Sequence, residues 1–459
     1  MKDKLKILAP CGILGYGFPI DSFNNGLKDF PDAIIVDAGS TDAGPHKLGA
    51  GVAIVSKTAY KKDLVRLIEG SLSLKIPLII GSAGGSGART HTEWTIEIIN
   101  EILAENEYSA KISVIWADIP NEVVSRAIHN NDVTPLGTNV PQLTHELVED
   151  TLSIVAQMGI EPILEALEGN PDILICGRAY DPAPFAAFGI AHGFDEALSY
   201  HLGKILECGA LCAVPGTTKD CIMGVLEKDS CHVYPTNRDR RCTITSVAAH
   251  TFYEKDHPYL LQGPGIVLNL EKCDFLQIDE RTVKIQNSRI EKTESYFIKL
   301  EGARRVAYRT FVVAGIRDPL LLQNLEKIED EVRESVKEYY IEISENDYNI
   351  AFINYGLDGV MGKLEPDRTV PKEVGLLMEV TAKTQELASA ICSSLRSSFM
   401  HYGYSGRKST SGNLAFPFSP SDVDFGPVFE FSIYHLMKVE NGQSMFPIMQ
   451  YEVINGKIN

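Results

Sequence analysis

Ala33-Ile34-Ile35-Val36-Asp37-Ala38-Gly39-Ser40-Thr41-Asp42-Ala43-Gly44-Pro45-His46-Lys47-Leu48-Gly49-Ala50-Gly51 decides how the chain is read. The stretch opens on a short, continuous apolar run that ends in a carboxylate, the pattern of a strand buried on both faces. The fifteen residues 37–51 then hold two carboxylates, a histidine, a lysine and four glycines. A solvated turn needs far fewer such groups. A buried strand feeding a loop of this kind predicts a parallel α/β sheet with a ligand site outside the carboxyl ends of its strands.

The same alternation extends in both directions. Upstream, residues 6–9 read as a strand followed by the loop Cys11-Gly12-Ile13-Leu14-Gly15-Tyr16-Gly17. Downstream come a helix over 60–74, a strand over 77–81, a helix over 92–105, a strand over 111–116, a helix over 144–159 and a strand over 173–176. The fold expected is α/β, with an N-terminal Rossmann-like parallel sheet carrying helices on both faces, spanning residues 1–215. Residues 216–320 are richer in Val, Thr, Tyr and Phe and read as a β-rich segment. Residues 321–459 read as a small α+β domain, with helices over 321–339 and 382–400, strands over 348–355 and 374–381, and an irregular end punctuated by Phe416-Pro417-Phe418-Ser419-Pro420.

Composition bounds the function. The 459 residues are 44% hydrophobic and 23% charged, as in an ordinary globular protein. A net charge of -18 argues against nucleic acid or an anionic membrane as partner, because both require clustered cations. The apolar run Ile7-Leu8-Ala9 is too short for a signal-peptide core. No stretch reaches the roughly 18 apolar residues of a membrane span. The nine cysteines are scattered, form no CxxC pair and read as reduced residues of a cytoplasmic protein.

Residues just beyond the other strands supply more chemistry. Gly81-Ser82-Ala83-Gly84-Gly85-Ser86-Gly87-Ala88-Arg89-Thr90-His91-Thr92-Glu93 places glycines before a helix start. The amides of Gly84, Gly85 and Gly87 and the helix N-terminus suit an anion, with Arg89 and His91 clamping it. The loop is neither a Walker A sequence nor a dinucleotide fingerprint. Asp118 follows the fourth strand, and Arg178 and Asp181 follow the fifth. Lys204, Glu207 and Cys208 fall together near a helix end; Glu207 is a candidate general acid or base. Cys208 as nucleophile is a weaker idea, since no His–Asn pair accompanies it. Cations collect in residues 304–317 and again in residues 406–418 of an otherwise acidic chain.

The loops 37–51 and 81–93, the Gly177-Arg178-Ala179-Tyr180-Asp181 motif, Glu207-Cys208-Gly209-Ala210 within 202–210, and the segment 412–422 together resemble the acyclic terpene utilisation AtuA family. The resemblance implies branched acyl-CoA catabolism and carboxylate metabolism, beside a small companion protein. The activity expected is that of a hydro-lyase-like enzyme, abstracting a proton next to a carbonyl of a small carboxylate or its CoA ester. The catalytic candidates are His46, Asp181 and Glu207. The substrate-binding candidates are Asp37, Asp42, Gly84, Gly85, Gly87, Arg89, His91, Asp118 and Arg178. The cofactor is left open between a divalent cation, on Asp37, Asp42 or Asp118, and CoA. The alternatives are a CoA-binding acyltransferase and a non-catalytic subunit that works with a small partner. A homo-oligomer is expected.

Overall fold

The computed structural model describes residues 2–253, 257–367, 369–408 and 413–459. Two units divide the chain: one joins residues 1–304 to 431–459, and the other is 305–430. At the centre of the first unit lie five strands, Lys4–Ala9, Ala33–Asp37, Leu78–Gly81, Ile173–Cys176 and Ala110–Ile115, side by side in that order and all parallel. Asp37 pairs with Gly81 and Ile115 with Cys176, so their carboxyl ends line up. Every residue of Ala33–Asp37, Leu78–Gly81 and Ile173–Cys176 is buried.

Burial on both sides follows from the side chains. Helices Lys57–Leu74 and Arg89–Glu105 set Leu64, Leu67, Ile98 and Ile102 against Ile34, Val36, Ile80 and Ile175. On the other face, helices Glu161–Glu168, Ala183–Ala191 and Glu196–Leu206 set Ile163, Phe185, Leu202 and Leu206 against Ile7, Ile35, Ile79 and Leu174. Asp195 starts the last of these helices by accepting a hydrogen bond from the Leu198 amide at 2.9 Å. A Cβ on Gly203 would lie 2.6 Å from the Pro182 carbonyl oxygen. The missing side chain lets this helix press against the turn after Arg178, which sets Lys204 and Glu207 beside Asp181.

The boundaries expected at 215 and 320 do not hold. Strands Ile222–Glu227 and Cys231–Pro235, from the supposed separate β-rich segment, extend the same sheet antiparallel from the edge at Lys4–Ala9. Strand Ile448–Ile454 covers the opposite edge by pairing with Ala110–Ile115. The sheet thus has 11 strands. A parallel core with bare edges would leave backbone N–H and C=O groups unpaired, and these flanking strands satisfy them. The helix expected over 144–159 is helix His145–Asp150 followed by strand Ser153–Ala156, which pairs with residues 300–303.

The second unit is built on its own antiparallel sheet. Strand Val374–Ala382 lies between Tyr348–Tyr355 and residues 308–316. Helices Leu325–Tyr339 and Gln385–His401 cover one face, with Ile328, Val332, Leu395 and Phe399 against Ala314, Leu376 and Met378. The single helix expected over 321–339 breaks at Asn324, which separates Pro319–Gln323 from Leu325–Tyr339. The end of the chain is less irregular than its sequence suggests, since it contains strand Asp422–Val439. Of the cation-rich segment 406–418, residues 409–412 lie outside the described residues. Among the described residues no helix is long and apolar enough to cross a membrane.

The returning strand matters to the sheet as a whole. Val453 is buried in the core under the helices on one face. Val453→Asp should lower stability by about 3 kcal/mol or more, because an isolated carboxylate has no partner there. A thermal melt matching the parent would show that the strand is dispensable.

Candidate functional site

Arg178 lies two residues beyond the end of the strand Ile173–Cys176 and is 1% exposed. Its Nε donates to Glu301 Oε2 at 2.8 Å and its Nη2 to Glu301 Oε1 at 3.5 Å. Its Nη1 donates to Asp181 Oδ1 at 2.9 Å, the Ala179 carbonyl at 2.9 Å and Ser82 Oγ at 3.2 Å. Glu301 is 0% exposed and also takes Lys299 Nζ at 2.8 Å. Burial pushes the Glu301 carboxyl up, but Arg178 and Lys299 outweigh it and hold the group at about 2. Arg178, a substrate-binding candidate from the sequence, thus links separate loops through Glu301, Asp181 and Ser82. Glu301 was missed by sequence reasoning. The signal available was the Lys299/Glu301 spacing, two opposite charges on one face of a strand.

The glycine loop is also turned inward. The Gly84 amide donates to Tyr60 Oη at 3.2 Å. Those of Gly85 and Gly87 donate to the carbonyls of Ser82 at 2.9 Å and Ala83 at 3.1 Å. None of these three amides is left for an anion. Gly87, at φ +64°, meets a different need: a Cβ there would lie 2.2 Å from the Arg178 nitrogen. Its glycine lets the loop touch the backbone of the neighbouring strand end.

The helix that follows is capped from within. The Arg89 amide donates to Asp118 Oδ1 at 3.0 Å, so Asp118 supplies the negative charge that the helix N-terminus favours. Burial pushes the Asp118 carboxyl up, and its Oδ2 has no partner among the described residues. The Arg89 guanidinium lies 4.4 Å from the centre of the Trp116 ring. Arg89, Trp116, Asp118 and Asn121 line a groove of about 790 Å³. His91 is buried, with Nε2 hydrogen-bonded to the Val52 carbonyl at 3.1 Å, and desolvation lowers its pKa. It latches the loop after Ala33–Asp37 and does not face the groove's Arg89. His46 is half-buried on helix Pro45–Ala50, and Asp42 is exposed with its amide on Ser40 Oγ at 3.0 Å.

What the strand ends do gather is an acid–base cluster. Asp37 is 8% exposed, and its Oδ1 has no hydrogen-bond partner among the described residues. Burial raises its pKa most; Asp181 and Glu207 add to the rise, and Arg178 opposes it. The net effect is a pKa well above the ordinary Asp value, which favours the protonated form of Asp37. Glu207, at the end of helix Glu196–Leu206, is nearly fully buried and accepts a hydrogen bond from Lys204 Nζ. Burial works against the Lys204 ammonium, but Glu207 beside it raises its pKa above the ordinary value. Cys208 Sγ is 3.2 Å from Tyr253 Oη, and burial and Glu207 push the thiol up to about 12, which deprives it of nucleophilic thiolate.

The cluster therefore brings together Asp37, Arg178, Asp181 and Glu207 from the sequence-derived set, and adds Lys204, Tyr253 and Glu301. It leaves Arg89 and Asp118 in the groove beyond Ile173–Cys176. Asp37, Asp42 and Asp118 share no common metal geometry; among the described residues no group of three His, Cys, Asp or Glu side chains could hold a metal ion.

The fold and the cluster define a mixed α/β protein whose chemistry-bearing side chains sit at the carboxyl edge of a parallel sheet. Its family is shown directly: the model for the acyclic terpene utilisation family protein AtuA matches residues 31–416, and the chain belongs to that family. No curated protein and no solved structure matches it.

Removing one partner of a buried ion pair costs about 3–5 kcal/mol. Glu301→Ala should cause a loss of that order in denaturant unfolding, and Gly87→Ala should be comparably damaging through collision with the Arg178 backbone. A neutral outcome for Glu301→Ala would mean that Arg178 is paired otherwise. Asp37 gives a pH signature. Its native pKa is raised above the roughly 3.9 of an unfolded Asp, so the native state binds more protons. Stability is then fully present at acid pH and is lost as pH rises toward the native pKa. The melting-temperature advantage of Asp37→Asn over the parent should therefore grow from pH 5 to pH 8. Equal differences at both pH values would show Asp37 ionised throughout.

Proposed function

We propose that this chain is a hydro-lyase acting on a small hydroxy-carboxylate, with Asp37 as general acid and Glu207 as general base. The observation that carries this reading is the Asp37 carboxyl itself. It is buried at a strand end, its pKa is raised by burial and by two neighbouring carboxylates, and one of its oxygens bonds no described group. A carboxyl with a raised pKa, electrostatically coupled to an ion-paired carboxylate, suits the movement of protons in opposite directions.

The step balances as follows. Glu207 takes the proton from the carbon next to the substrate carboxylate. The electron pair of that C–H bond forms the carbon–carbon double bond as the adjacent C–O bond breaks. Asp37 donates its proton to the departing oxygen, which leaves as water. Glu207 ends protonated and Asp37 ionised, and exchange with water restores both. Asp181, bonded to Arg178, sustains the raised pKa of Asp37. A free carboxylate is favoured over a CoA ester, and a lyase over a CoA-binding acyltransferase. The glycine loop that would cradle a pyrophosphate has the amides of Gly84, Gly85 and Gly87 engaged internally.

The test is a dehydration and hydration assay over hydroxy-mono-, di- and tricarboxylates. General acid–base groups contribute about 10²–10⁴-fold. Asp37→Asn and Glu207→Gln should each lower kcat within that range with little change in KM. The kcat of the parent should fall as pH rises through the Asp37 pKa, since the acid is then lost. Absence of turnover across the panel, or full activity in both variants, would overturn the proposal.

A further inference from the structure

We infer that Lys204 is the residue that holds the substrate's negative charge, so that the substrate binds with a free carboxylate oxygen on its ammonium. The inference rests on the acid–base reading for the place of the site and goes beyond it in naming what recognises the ligand. Among the described residues, the other cations near the cluster are committed elsewhere. Arg178 is bonded through Nε, Nη1 and Nη2 to Glu301, Asp181, Ser82 and Ala179. Lys299 bonds Glu301 and Tyr434 Oη, both at 2.8 Å. Arg89 lies on the Trp116 ring in the separate groove.

Lys204 differs from all of them. An ammonium carries three donors, and the hydrogen bond to Glu207 occupies one. The charge lies 5.0 Å from the centre of the Tyr253 ring, whose face attracts a cation but accepts no proton from it. Its side chain is only 14% exposed, so an anion reaching it meets a cation stripped of most of its water. In such a place an ion contact is far stronger than at the surface.

Charge balance admits the anion. With Asp37 protonated, as the acid–base reading requires, Arg178, Lys204 and Lys299 offset Asp181, Glu207 and Glu301, so the cluster does not repel a carboxylate as a whole. Geometry gives the contact a catalytic sense. Lys204 and Glu207 are one helical turn apart and touch each other, so a carboxylate seated on the ammonium brings its neighbouring carbon toward the Glu207 oxygens. When that carbon loses its proton, negative charge flows into the carboxylate oxygens. The ammonium is already in place to receive it.

The test uses the full chain labelled with 15N-lysine, with the Lys204 ammonium resonance assigned by its absence in Lys204→Arg. Titration with acetate, malate and citrate should shift that resonance saturably for at least one probe. In the turnover assay Lys204→Met should lose at least 100-fold in kcat/KM, and Lys204→Arg should recover part of it. No shift with any probe, or wild-type kcat/KM in Lys204→Met, overturns the inference while leaving the Asp37–Glu207 reading intact. A saturable shift without turnover of any hydroxy-carboxylate supports Lys204 as the anion holder and overturns the lyase reading instead. The resonance is read in the parent chain, so the outcome does not depend on whether the Met variant folds.

Discussion

A guanidinium buried at the end of a parallel strand dictates much of what surrounds it. Arg178 cannot shed its charge, and a desolvated cation is tolerable only where its donors are satisfied. Three segments answer that demand: the glycine loop through Ser82, the Arg178 turn itself through Ala179 and Asp181, and the strand near residue 300 through Glu301. Lys299 then balances the carboxylate that balances the arginine. The result is a rigid wall along the carboxyl edge of the sheet, and the reactive carboxyls are held against it.

That wall explains why two neighbouring regions differ in character. On one side Asp181 and Glu207 act on Asp37, and Asp181 is tethered to Arg178. On the other side Asp118 is set by burial, the Arg89 backbone and the charges of Arg89 and Glu93. The strand Ile173–Cys176 stands between the strands that feed the two regions. A reading in which every strand-end loop converges on one ligand overlooks this insertion of a later strand between two earlier ones.

The parallel core was legible because its strands are short, mostly apolar and separated by helical periods. Asp37 was legible as a site residue for the same reason: a carboxylate closing a fully buried run is hard to explain otherwise. The roles within the site were less so. Whether a glycine amide faces a ligand or its own loop depends on partners such as Tyr60, 24 positions away from Gly84. Local pattern carries no trace of that. The edge strand Ile448–Ile454 was hidden because most of its side chains remain partly or wholly exposed, which erases the alternation that marks a half-buried strand. The strand Ser153–Ala156 was lost in a helical pattern because it is only 4 residues long.

The Arg178–Glu301 pair spans 123 positions, and this separation bears on how the protein comes into being. A ribosome adds about 5–20 residues per second, so the arginine emerges roughly 6–25 s before the carboxylate that must neutralise it. Through that interval the guanidinium is better hydrated than buried, and the loop carrying it has reason to stay open. The first 215 residues can therefore assemble most of their sheet during synthesis while the corner that bears the chemistry remains wet. Closure of that corner waits for the chain near residue 300, so the corner becomes dry later than the parallel strands on which it stands.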